Sequence, residues 1–461
     1  METTYDVRIW KTLVRKGKRK TTYWVRWIVA GRERWEPFTT KGLAESFRSE
    51  LLAAARKGEA FNVATGLPVS MERATKLDAA WYDFASSYVD TKWKRSAGTT
   101  RRTNAEALTT VTEAMLTTSR GRPDGRVLRS ALTRWAFNTA RRDTAERPAE
   151  IEAALRWVST HSRPVAALAE PKVLRGVLDA ITHKVDGGTA APSVANRKRI
   201  VLNAAINHAI EEGLLTENPI PALKWTPPTK SIRPVDRRSV PNPVQARTLL
   251  AAVRAQQPSG PRLVAFFGCI YFAALRPEEV VALAKPNLAI PADGWGMFYL
   301  DGAAPHAGRD WTDSGNERDD RRQLKHRDVG DTRPVPCPPE LTALLNEHIA
   351  EFGFGPDGRL LSGVRGGVLA KITIGRSWER ARLDAFTPEV AASPLAATPY
   401  HLRHAAISTW VNGGVPVTDA AAWAGHSVDV LQKIYAQCLD QSDAINRQRV
   451  EAALGHRRPG R

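Results

Sequence analysis

A proline-rich, basic stretch divides this 461-residue sequence near its middle. Residues 225–243 read WTPPTKSIRPVDRRSVPNP, with five prolines and no apolar period. Proline lacks a backbone N–H and fixes φ, so such a stretch cannot continue a helix or a central strand. We therefore predict a linker over residues 226–240, with separate domains on either side of it. The chain length of 461 residues also predicts more than one domain, because a single domain typically holds roughly 150 residues.

In the N-terminal 65 residues, apolar and polar residues alternate as they do in β-strands. YDVRIWKTLV, YWVRWIV and RWEPFT predict three strands, and LAESFRSELLAAARKGE then has helical spacing. Nine basic residues and one acidic residue lie between Lys11 and Arg34. Because a β-ribbon can enter a DNA groove, we expect DNA contact; the alternative is a solvated basic face over an aromatic core. The candidate DNA contacts are Lys16, Lys18, Arg19 and Lys20.

Residues 75–225 carry helical patterns without a convincing strand, which predicts an all-helical domain. One of them, ANRKRIVLNAAINHAIEEGLL, places Arg197, Lys198 and Arg199 on the predicted first turn of a helix. The helix dipole disfavours cations there, so the placement should serve something other than helix stability. Contact with a DNA phosphate would explain it. An exposed basic turn without a partner is the alternative.

The third predicted domain spans residues 241–461 and mixes helices with short strands. Asn242 followed by Pro243 is typical of a helix start. The apolar run Leu263–Leu275 has 13 residues, fewer than the roughly 20 that a membrane-spanning helix needs, so we interpret it as a buried core helix. Strands are predicted around FYLDG and RPVPCP, and most of the remainder is predicted to be helical.

Arg276 lies where this core helix must end. The residue before a proline avoids helical geometry, so LRPEE predicts the end of one helix and the start of another with Pro277 at its first position. A guanidinium between two apolar helices is unfavourable unless Glu279 or a bound phosphate satisfies it. The pair is either part of an anion site or a purely structural ion pair.

The charge of the chain indicates a polyanionic partner. Lys and Arg total 67 against 48 Asp and Glu, which gives a net charge of +19 and an isoelectric point near 10.1. Nucleic acid is favoured over a membrane surface. The N-terminus lacks a secretory pattern and the three cysteines are far apart in sequence. We therefore expect a cytoplasmic, nucleoid-associated protein with reduced thiols.

The region richest in candidate site residues is TPYHLRHAAISTWVNGGVPVTDAAAWAGHSVDVLQKIYAQCL, residues 398–439. Tyr400, Arg403 and His404 have i, i+3 and i+4 spacing, so they share a helical face. His426 follows a glycine, and Tyr435 comes nine residues later. Two histidines spaced i, i+3 also occur here, but without a third ligand they are weak evidence for a metal, and we assign none.

Lys325 stands in a predicted hairpin, QLKHRDVGDTRPVPCP, near the end of the incoming strand and beside Arg327 and Arg333. Most lysines in basic hairpins are solvated, so the hairpin alone assigns it no role. The preceding WTDSGNERDD contains carboxylates, but its Gly, Ser and Asn residues predict a solvated loop and no metal site.

Taken together, these motifs resemble those of the tyrosine recombinases, the phage-type integrases. The resemblance rests on five residues in a shared order: Arg276 in ALRPEE, Lys325 in LKHR before a VP strand, Arg403 in HLRH, His426 in AGHS, and Tyr435. It covers the whole chain and implies an arm-type DNA-binding sheet with a helix, a helical core-binding domain of the SAM-like type, and a mixed α/β catalytic domain. The finer likeness is to integrases of actinobacterial prophages or integrative plasmids.

The resemblance implies DNA cleavage and rejoining through a covalent intermediate. Tyr435 would attack the scissile phosphate to form a 3'-phosphotyrosyl link, which conserves bond energy for rejoining without ATP or another cofactor. Arg276 and Arg403 would bind the phosphate oxygens and stabilise the phosphorane. Lys325 would protonate the leaving 5'-oxygen, and no metal would be needed.

Other roles follow from the same resemblance. His426 would hydrogen-bond the phosphate, Tyr400 would support the site or relay a proton, and Glu279 and His404 would orient the arginines. The commonest family motif has histidine where Tyr400 stands, so the identity of the proton acceptor is open. The implied partners are double-stranded attachment-site DNA, further copies in a tetramer that passes through a Holliday junction, an excisionase and a host DNA-bending protein.

Three other functions share some of these features. A DNA-binding regulator that has lost catalysis would keep the fold and the charge. A type IB topoisomerase-like relaxase would use similar chemistry as a monomer. A metal-dependent nuclease is a third alternative, and its cleavage would be abolished by a chelator.

Overall fold

The computed structural model describes residues 2–17, 21–71, 79–142, 147–226, 234–319, 324, 330–435, 447, 450–451 and 453–454. The chain divides into two compact units: residues 1–96 with 100–229, and residues 97–99 with 230–461. The predicted fold class, multidomain and mainly α with small antiparallel β-sheets, is confirmed. The finer boundaries, including the linker over residues 226–240, stay predictions.

The N-terminal sheet has four strands where the alternation predicts three. They are β2 (Val7–Ile9), β3 (Leu13–Lys16), β4 (Thr21–Val29) and β5 (Arg32–Phe38). Both β2 and β3 pair antiparallel with β4, and β5 pairs with β4 as well. The predicted first strand is thus interrupted after Ile9, although the Trp10 N–H still donates to the Arg26 carbonyl at 3.0 Å. A separate two-stranded pair joins β1 (Thr3–Thr4) to β6 (Phe61–Asn62).

One face of this sheet is covered by helix α1 (Lys41–Arg56). The Thr40 hydroxyl caps the helix by accepting a hydrogen bond from the Leu43 N–H at 3.3 Å. Val25, Trp27 and Val29 alternate along β4 onto the covered face, and all three are buried. Burying a side chain of this size stabilises the fold by about 1.5–3 kcal/mol, which is what fixes the register of the central strand.

The rest of the first unit is helical. Its helices are α2 (Trp81–Trp93), α3 (Gly98–Ala114), α4 (Gly125–Ser130), α5 (Thr139–Arg142), α6 (Ala149–His161), α7 (Pro171–Ala180) and α8 (Pro192–Glu211), with a π-helical stretch at Ala131–Ala136. Within residues 79–142 and 147–226 the structure contains no strand, as the pattern predicts.

The predicted start of α8 is wrong. The helix begins at Pro192, so Arg197, Lys198 and Arg199 lie in its second turn and not its first. Proline at the first helical position is a start signal in its own right, and it precedes the ANRKRI pattern from which the start was predicted. The argument from the helix dipole therefore falls away, because the dipole acts within the first turn only.

In the second unit, helices surround a three-stranded antiparallel sheet of order β7-β8-β9. The strands are β7 (Leu288–Ala289), β8 (Gly296–Leu300) and β9 (Arg333–Cys337). The helices are α9 (Pro243–Arg254), α10 (Gly260–Ala273), α11 (Pro277–Ala282), α12 (Pro339–Phe352), α13 (Lys371–Ala385), α14 (Pro388–Ala392), α15 (Tyr400–Asn412), α16 (Val417–Ala424) and α17 (Val428–Tyr435).

Local sequence signals set several of these boundaries. Asn242 and Gln245 form a reciprocal capping box at the start of α9, in agreement with the predicted start. The predicted core helix is α10, which is almost wholly buried. In the described part of the chain, no helix is both long enough and apolar enough to cross a membrane.

A small second core lies behind α15, α16 and α17. It contains Val235, Ile407, Leu431 and Tyr435. The segment before α9 packs on this core, because the Val235 N–H donates to the carbonyl of Ile434 at 2.9 Å. This hydrogen bond joins the segment before α9 to the described end of α17.

Candidate active site

Arg276 occupies the corner between α10 and α11 that the proline predicts. Helix α10 is followed by its C-terminal capping residue, Ala274, in the left-handed conformation with φ of +50°. The Arg276 backbone N–H donates to Glu279 Oε2 at 2.8 Å, and Nη1 of its side chain donates to Oε1 at 2.7 Å. Its Nη2 donates to the carbonyl of Gly425 at 2.7 Å. The guanidinium is thus held from two sides.

Glu279 also binds a second arginine, which is a site residue that the sequence analysis missed. Nη2 of Arg333 donates to Glu279 Oε2 at 2.7 Å, and both side chains are almost fully buried. Burial by itself raises the pKa of the Glu279 carboxyl, but Arg333 and Arg276 outweigh it and lower the pKa to about 2. The carboxylate therefore stays ionised between the two arginines.

A signal for Arg333 is present in the sequence. It begins β9, where Arg333, Val335 and Cys337 alternate onto the buried face. An arginine in phase with inward-facing apolar residues must find an anionic partner inside the protein. The partner here is Glu279, on a helix more than fifty residues earlier in the chain.

Arg403 is fully buried in α15 and binds the ends of two helices. Nη1 donates to the carbonyl of Ala274 at the end of α10, and Nη2 donates to the carbonyl of Ala424 at the end of α16. Carbonyls in the last turn of a helix have no partner within it and carry partial negative charge. Helix ends therefore hold this guanidinium in the way that a carboxylate holds Arg276.

His426 follows α16 and lies against Arg403. Its Nε2 is 3.1 Å from Nη2 of Arg403. Burial, together with Arg403 and Arg276, lowers the pKa of His426 to about 3, so the ring is neutral at physiological pH. Since arginine can only donate, Nε2 must accept and Nδ1 must carry the proton. Nδ1 is buried and has no hydrogen-bond partner among the described residues.

Tyr435 ends the described part of α17 and is fully buried. Its hydroxyl is 2.8 Å from Nδ1 of His404. His404, which is predicted to orient the arginines, contacts the candidate nucleophile. The Tyr400 ring lies 5.2 Å from the ring of His404 and 5.9 Å from the guanidinium carbon of Arg403.

The electrostatics of this cluster favour an anion. Two arginines share one carboxylate and a third is held by backbone carbonyls. Both histidines that contact the cluster have lowered pKa values. Nε of Arg333 and Nε of Arg403 are also buried without a partner in the described residues. The cluster therefore has positive charge and donors that its own side chains do not satisfy, and a phosphate group could satisfy both.

The predicted DNA contacts lie apart from this cluster in sequence and are placed only in part. Lys16 is exposed at the end of β3, and Arg197 is exposed on α8. Lys198 is half-buried, and burial together with Arg129 lowers its pKa. Arg199 is half-buried. The remaining predicted residues, Lys18, Arg19, Lys20 and the catalytic candidate Lys325, lie outside the described residues.

Comparison with known proteins gives matches among solved structures. Neither the protein-family models nor the curated proteins contain a match. The integrase of transposon Tn1549 in complex with transposon right end DNA is 16% identical, covers 71% of this chain and 98% of its own, and has a TM-score of 0.48. A lambda integrase dimer bound to a COC' core site is 14% identical, with 93% and 94% covered and a TM-score of 0.43.

The XerH site-specific recombinase bound to difH is 11% identical over 80% of this chain and 94% of its own, with a TM-score of 0.44. The chain is similar to tyrosine recombinases of known structure. This agrees with the resemblance that the order of the motifs predicts. With TM-scores below 0.5 and identities of 16% or less, the likeness assigns neither an activity nor the role of any residue.

Proposed function

We propose that this chain is a site-specific DNA recombinase that cleaves and rejoins strands through a 3'-phosphotyrosyl intermediate, and so integrates or excises a mobile element. One observation carries the proposal: two buried arginines and the partly exposed Arg276 lie with a single carboxylate in the same cluster as a tyrosine whose hydroxyl is hydrogen-bonded. Phosphodiester cleavage by a tyrosine needs these two components, a fixed cationic site for the phosphate and a placed nucleophile.

The arginines would stabilise the charge of the phosphorane. Arg276 and Arg403 each use part of the guanidinium fork on carbonyls or Glu279, and this fixes the direction of the remaining N–H groups. Donors fixed in advance need no reorganisation as charge develops on the phosphate oxygens. Glu279 would position Arg276 and Arg333 without touching the DNA. Nδ1–H of His426 would be a further donor to a phosphate oxygen.

The reaction exchanges one ester for another. The Tyr435 oxygen forms a bond to phosphorus, the bond from phosphorus to the 5'-oxygen breaks, and one proton is transferred overall from the phenol to the leaving oxygen. Lys325 would supply the proton to that oxygen, and Tyr400 would support the site. Attack by the freed hydroxyl of a partner strand would reverse these steps and join the strands of two sites.

The assembly that we propose is a homotetramer on two double-stranded attachment sites, which exchanges strands through a Holliday junction. Residues 1–65 would bind arm-type sites and residues 75–225 the core sites. Residues after Leu439 would dock on a neighbouring protomer. Their deletion should then impair synapsis more than DNA binding, and equal loss of both would refute the docking. An excisionase and a host DNA-bending protein would determine whether integration or excision is favoured.

A trapped covalent adduct tests the proposal. The DNA is a duplex that the full-length protein selects from a random-sequence pool, nicked at positions across the protected centre so that the cleaved end diffuses away. Wild type should form an adduct that survives denaturation in the presence of chelator, and Tyr435→Phe should form none. Tyr271→Phe is the matched control, because it removes a hydroxyl from another mostly buried tyrosine of the same unit.

Other outcomes favour the alternatives. Selective DNA binding with no adduct from wild type would favour a DNA-binding regulator. An adduct with relaxation of supercoiled DNA, but without recombination of a plasmid that carries two sites, would favour a topoisomerase-like relaxase. Cleavage that chelator abolishes would favour a nuclease.

A further inference from the structure

The hydroxyl of Tyr435 meets a histidine that the proposed chemistry does not yet use. The Tyr435 oxygen is 2.8 Å from Nδ1 of His404, and the two rings lie 5.5 Å apart at 59°. We propose that His404 is the positioning residue of the nucleophile, and that its Nδ1 accepts the phenol hydrogen bond and so fixes the Tyr435 oxygen for attack. This inference rests on the proposed function and deepens it.

The chemistry of the pair favours His404 as the acceptor. A phenol O–H is a stronger hydrogen-bond donor than the N–H of a neutral imidazole. Burial first, and then His401 and Arg403, lower the pKa of His404 to about 4, so over the neutral range the ring is neutral and one of its nitrogens can accept a hydrogen bond. An imidazole with so low a pKa is a weak base, so a proton transfer from the phenol to His404 before attack is unfavourable. His404 therefore orients the phenol and does not deprotonate it in advance.

The position of His404 in the fold links the nucleophile to the proposed phosphate site. It follows Arg403 directly in α15, and Arg403 is held at both ends by the carbonyls of Ala274 and Ala424. One rigid helix thus carries the guanidinium proposed for the phosphate and the imidazole that holds the nucleophile. The positions of the phosphate and of the phenol oxygen are then both tied to α15. A misplacement of about 1 Å in such a geometry can lower a rate about a hundredfold.

The surroundings of His404 define the controls. Tyr400 and His401 face it from its own helix, with ring centroids at 5.2 and 6.0 Å. His426 lies beside its partner Tyr435, with those ring centroids 6.5 Å apart. Asp236 and Ser239 line a cavity of about 460 Å³ together with His401 and His404. His401 shares the helix and the cavity but is not hydrogen-bonded to Tyr435 in the described contacts, so His401→Phe is the matched control.

The test compares two variants of His404 in single-turnover adduct formation at saturating full-length protein, on the selected nicked duplex. Asparagine places its Oδ1 as many bonds from Cα as Nδ1 of histidine, so His404→Asn keeps an acceptor and should stay within about fivefold of wild type. His404→Phe keeps a ring without an acceptor and should lose about a hundredfold. His401→Phe should stay within twofold. Loss in His401→Phe equal to that in His404→Phe, or no loss in His404→Phe, would overturn the proposal.

Two further readouts separate positioning from a structural or acid–base role. A duplex with sulfur at the leaving 5'-position needs no proton donor, so it should not restore His404→Phe; restoration would assign His404 to the leaving group and reject our proposal. The pH–rate profile of His404→Asn from pH 6 to 9 should match that of wild type, and a limb present only in wild type would make His404 a base. If His404→Phe does not fold, the adduct rate and the pH–rate profile are still compared between His404→Asn and wild type. No adduct from wild type would instead reject the proposed function itself.

Discussion

Two regions of this molecule fix arginines in opposite ways. On the N-terminal sheet, Arg26 lies over the rings of Trp10 and Trp35, at 4.0 and 5.2 Å, and Arg15 lies 5.6 Å from the ring of Trp24. These arginines are on the face of the sheet that α1 does not cover. Cation–π contacts leave the N–H edge of a guanidinium free for solvent or a ligand.

In the second unit, two arginines of the candidate site are buried and bound through their N–H groups. Arg403 and Arg333 are almost fully buried, and their partners are helix-end carbonyls and one carboxylate. Removing such groups from water is unfavourable, and the hydrogen bonds and ion pairs that they form offset only part of the desolvation free energy.

The difference indicates different ligands. Stacked, exposed arginines can adjust to any stretch of DNA backbone, so they are suited to affinity that depends on salt. Buried arginines with fixed N–H groups are suited to one phosphate in one orientation, where a small displacement matters. The following predictions test that contrast, beginning with the largest expected effect.

Arg403→Lys should have the largest effect. Lysine keeps the charge but lacks the planar fork, so it cannot reach both helix-end carbonyls and the phosphate. We expect adduct formation to fall by about a thousandfold, measured in single turnover. The same substitution on the sheet, Arg26→Lys, keeps an exposed cation and should change that rate by less than about twofold. Equal losses in the two variants would abolish the distinction between the regions.

Glu279→Gln should destabilise the second unit in a way that depends on pH. The folded carboxyl has a pKa of about 2 against 4.5 for a free one. Its contribution is therefore present above pH 4.5 and is lost as the pH falls toward 2, and it is on the order of 3 kcal/mol.

Urea unfolding at several pH values measures this contribution. Wild type and Glu279→Gln should differ most at pH 6 and converge near pH 2. A difference that stays constant over this range would show that Glu279 acts through packing and not through charge. Glu340→Gln, which removes a half-exposed partner of Arg247, should cost less than about 1 kcal/mol at any pH.

How much of this site could be predicted depends on the range of the interactions. The corner at Arg276, the cap at Asn242 and the shared face of Tyr400, Arg403 and His404 follow from residues a few positions apart, and the sequence patterns predict them. The signal at Pro192 is also local, but the more prominent basic pattern that follows it predicts a later helix start.

The remainder depends on contacts between distant elements. Nothing in the sequence marks which backbone carbonyls will face Arg403, because those of Ala274 and Ala424 are exposed only by the ends of their helices. Arg333 reaches Glu279 because β9 packs beside α16 and α10, and α11 follows α10 directly, which is a property of the tertiary structure. The contact between His404 and Tyr435 likewise forms only once α15 and α17 meet.

Gly425→Ala should have an intermediate effect. Gly425 has φ of +64°, and a Cβ there would stand 3.1 Å from Nη1 of Arg276 and closer still to Arg333. The backbone strain alone costs about 1 kcal/mol, and the contact should displace the guanidinium from the Gly425 carbonyl. We expect about a tenfold lower rate of adduct formation.

The matched control for this variant is Gly58→Ala. Gly58 has φ of +70° with no atom within 4 Å of a Cβ, so the substitution adds backbone strain without contact. Its melting temperature should fall as far as that of Gly425→Ala or somewhat less, with adduct formation at saturating protein unchanged. A similar loss of rate in both variants would show that strain alone explains the effect of Gly425→Ala.

Arg26→Gln should have the smallest effect and should change binding only. Arg26 is partly exposed, and its ion pair with Glu33 at 3.2 Å contributes less than about 1 kcal/mol to stability. We expect affinity for DNA to fall a few-fold and the slope of log affinity against log salt to decrease by about one, because one phosphate contact is lost. Arg56→Gln, on the exposed side of α1, should leave the slope unchanged. If the slope stays the same in Arg26→Gln, the stacked arginines serve the sheet itself and do not contact DNA.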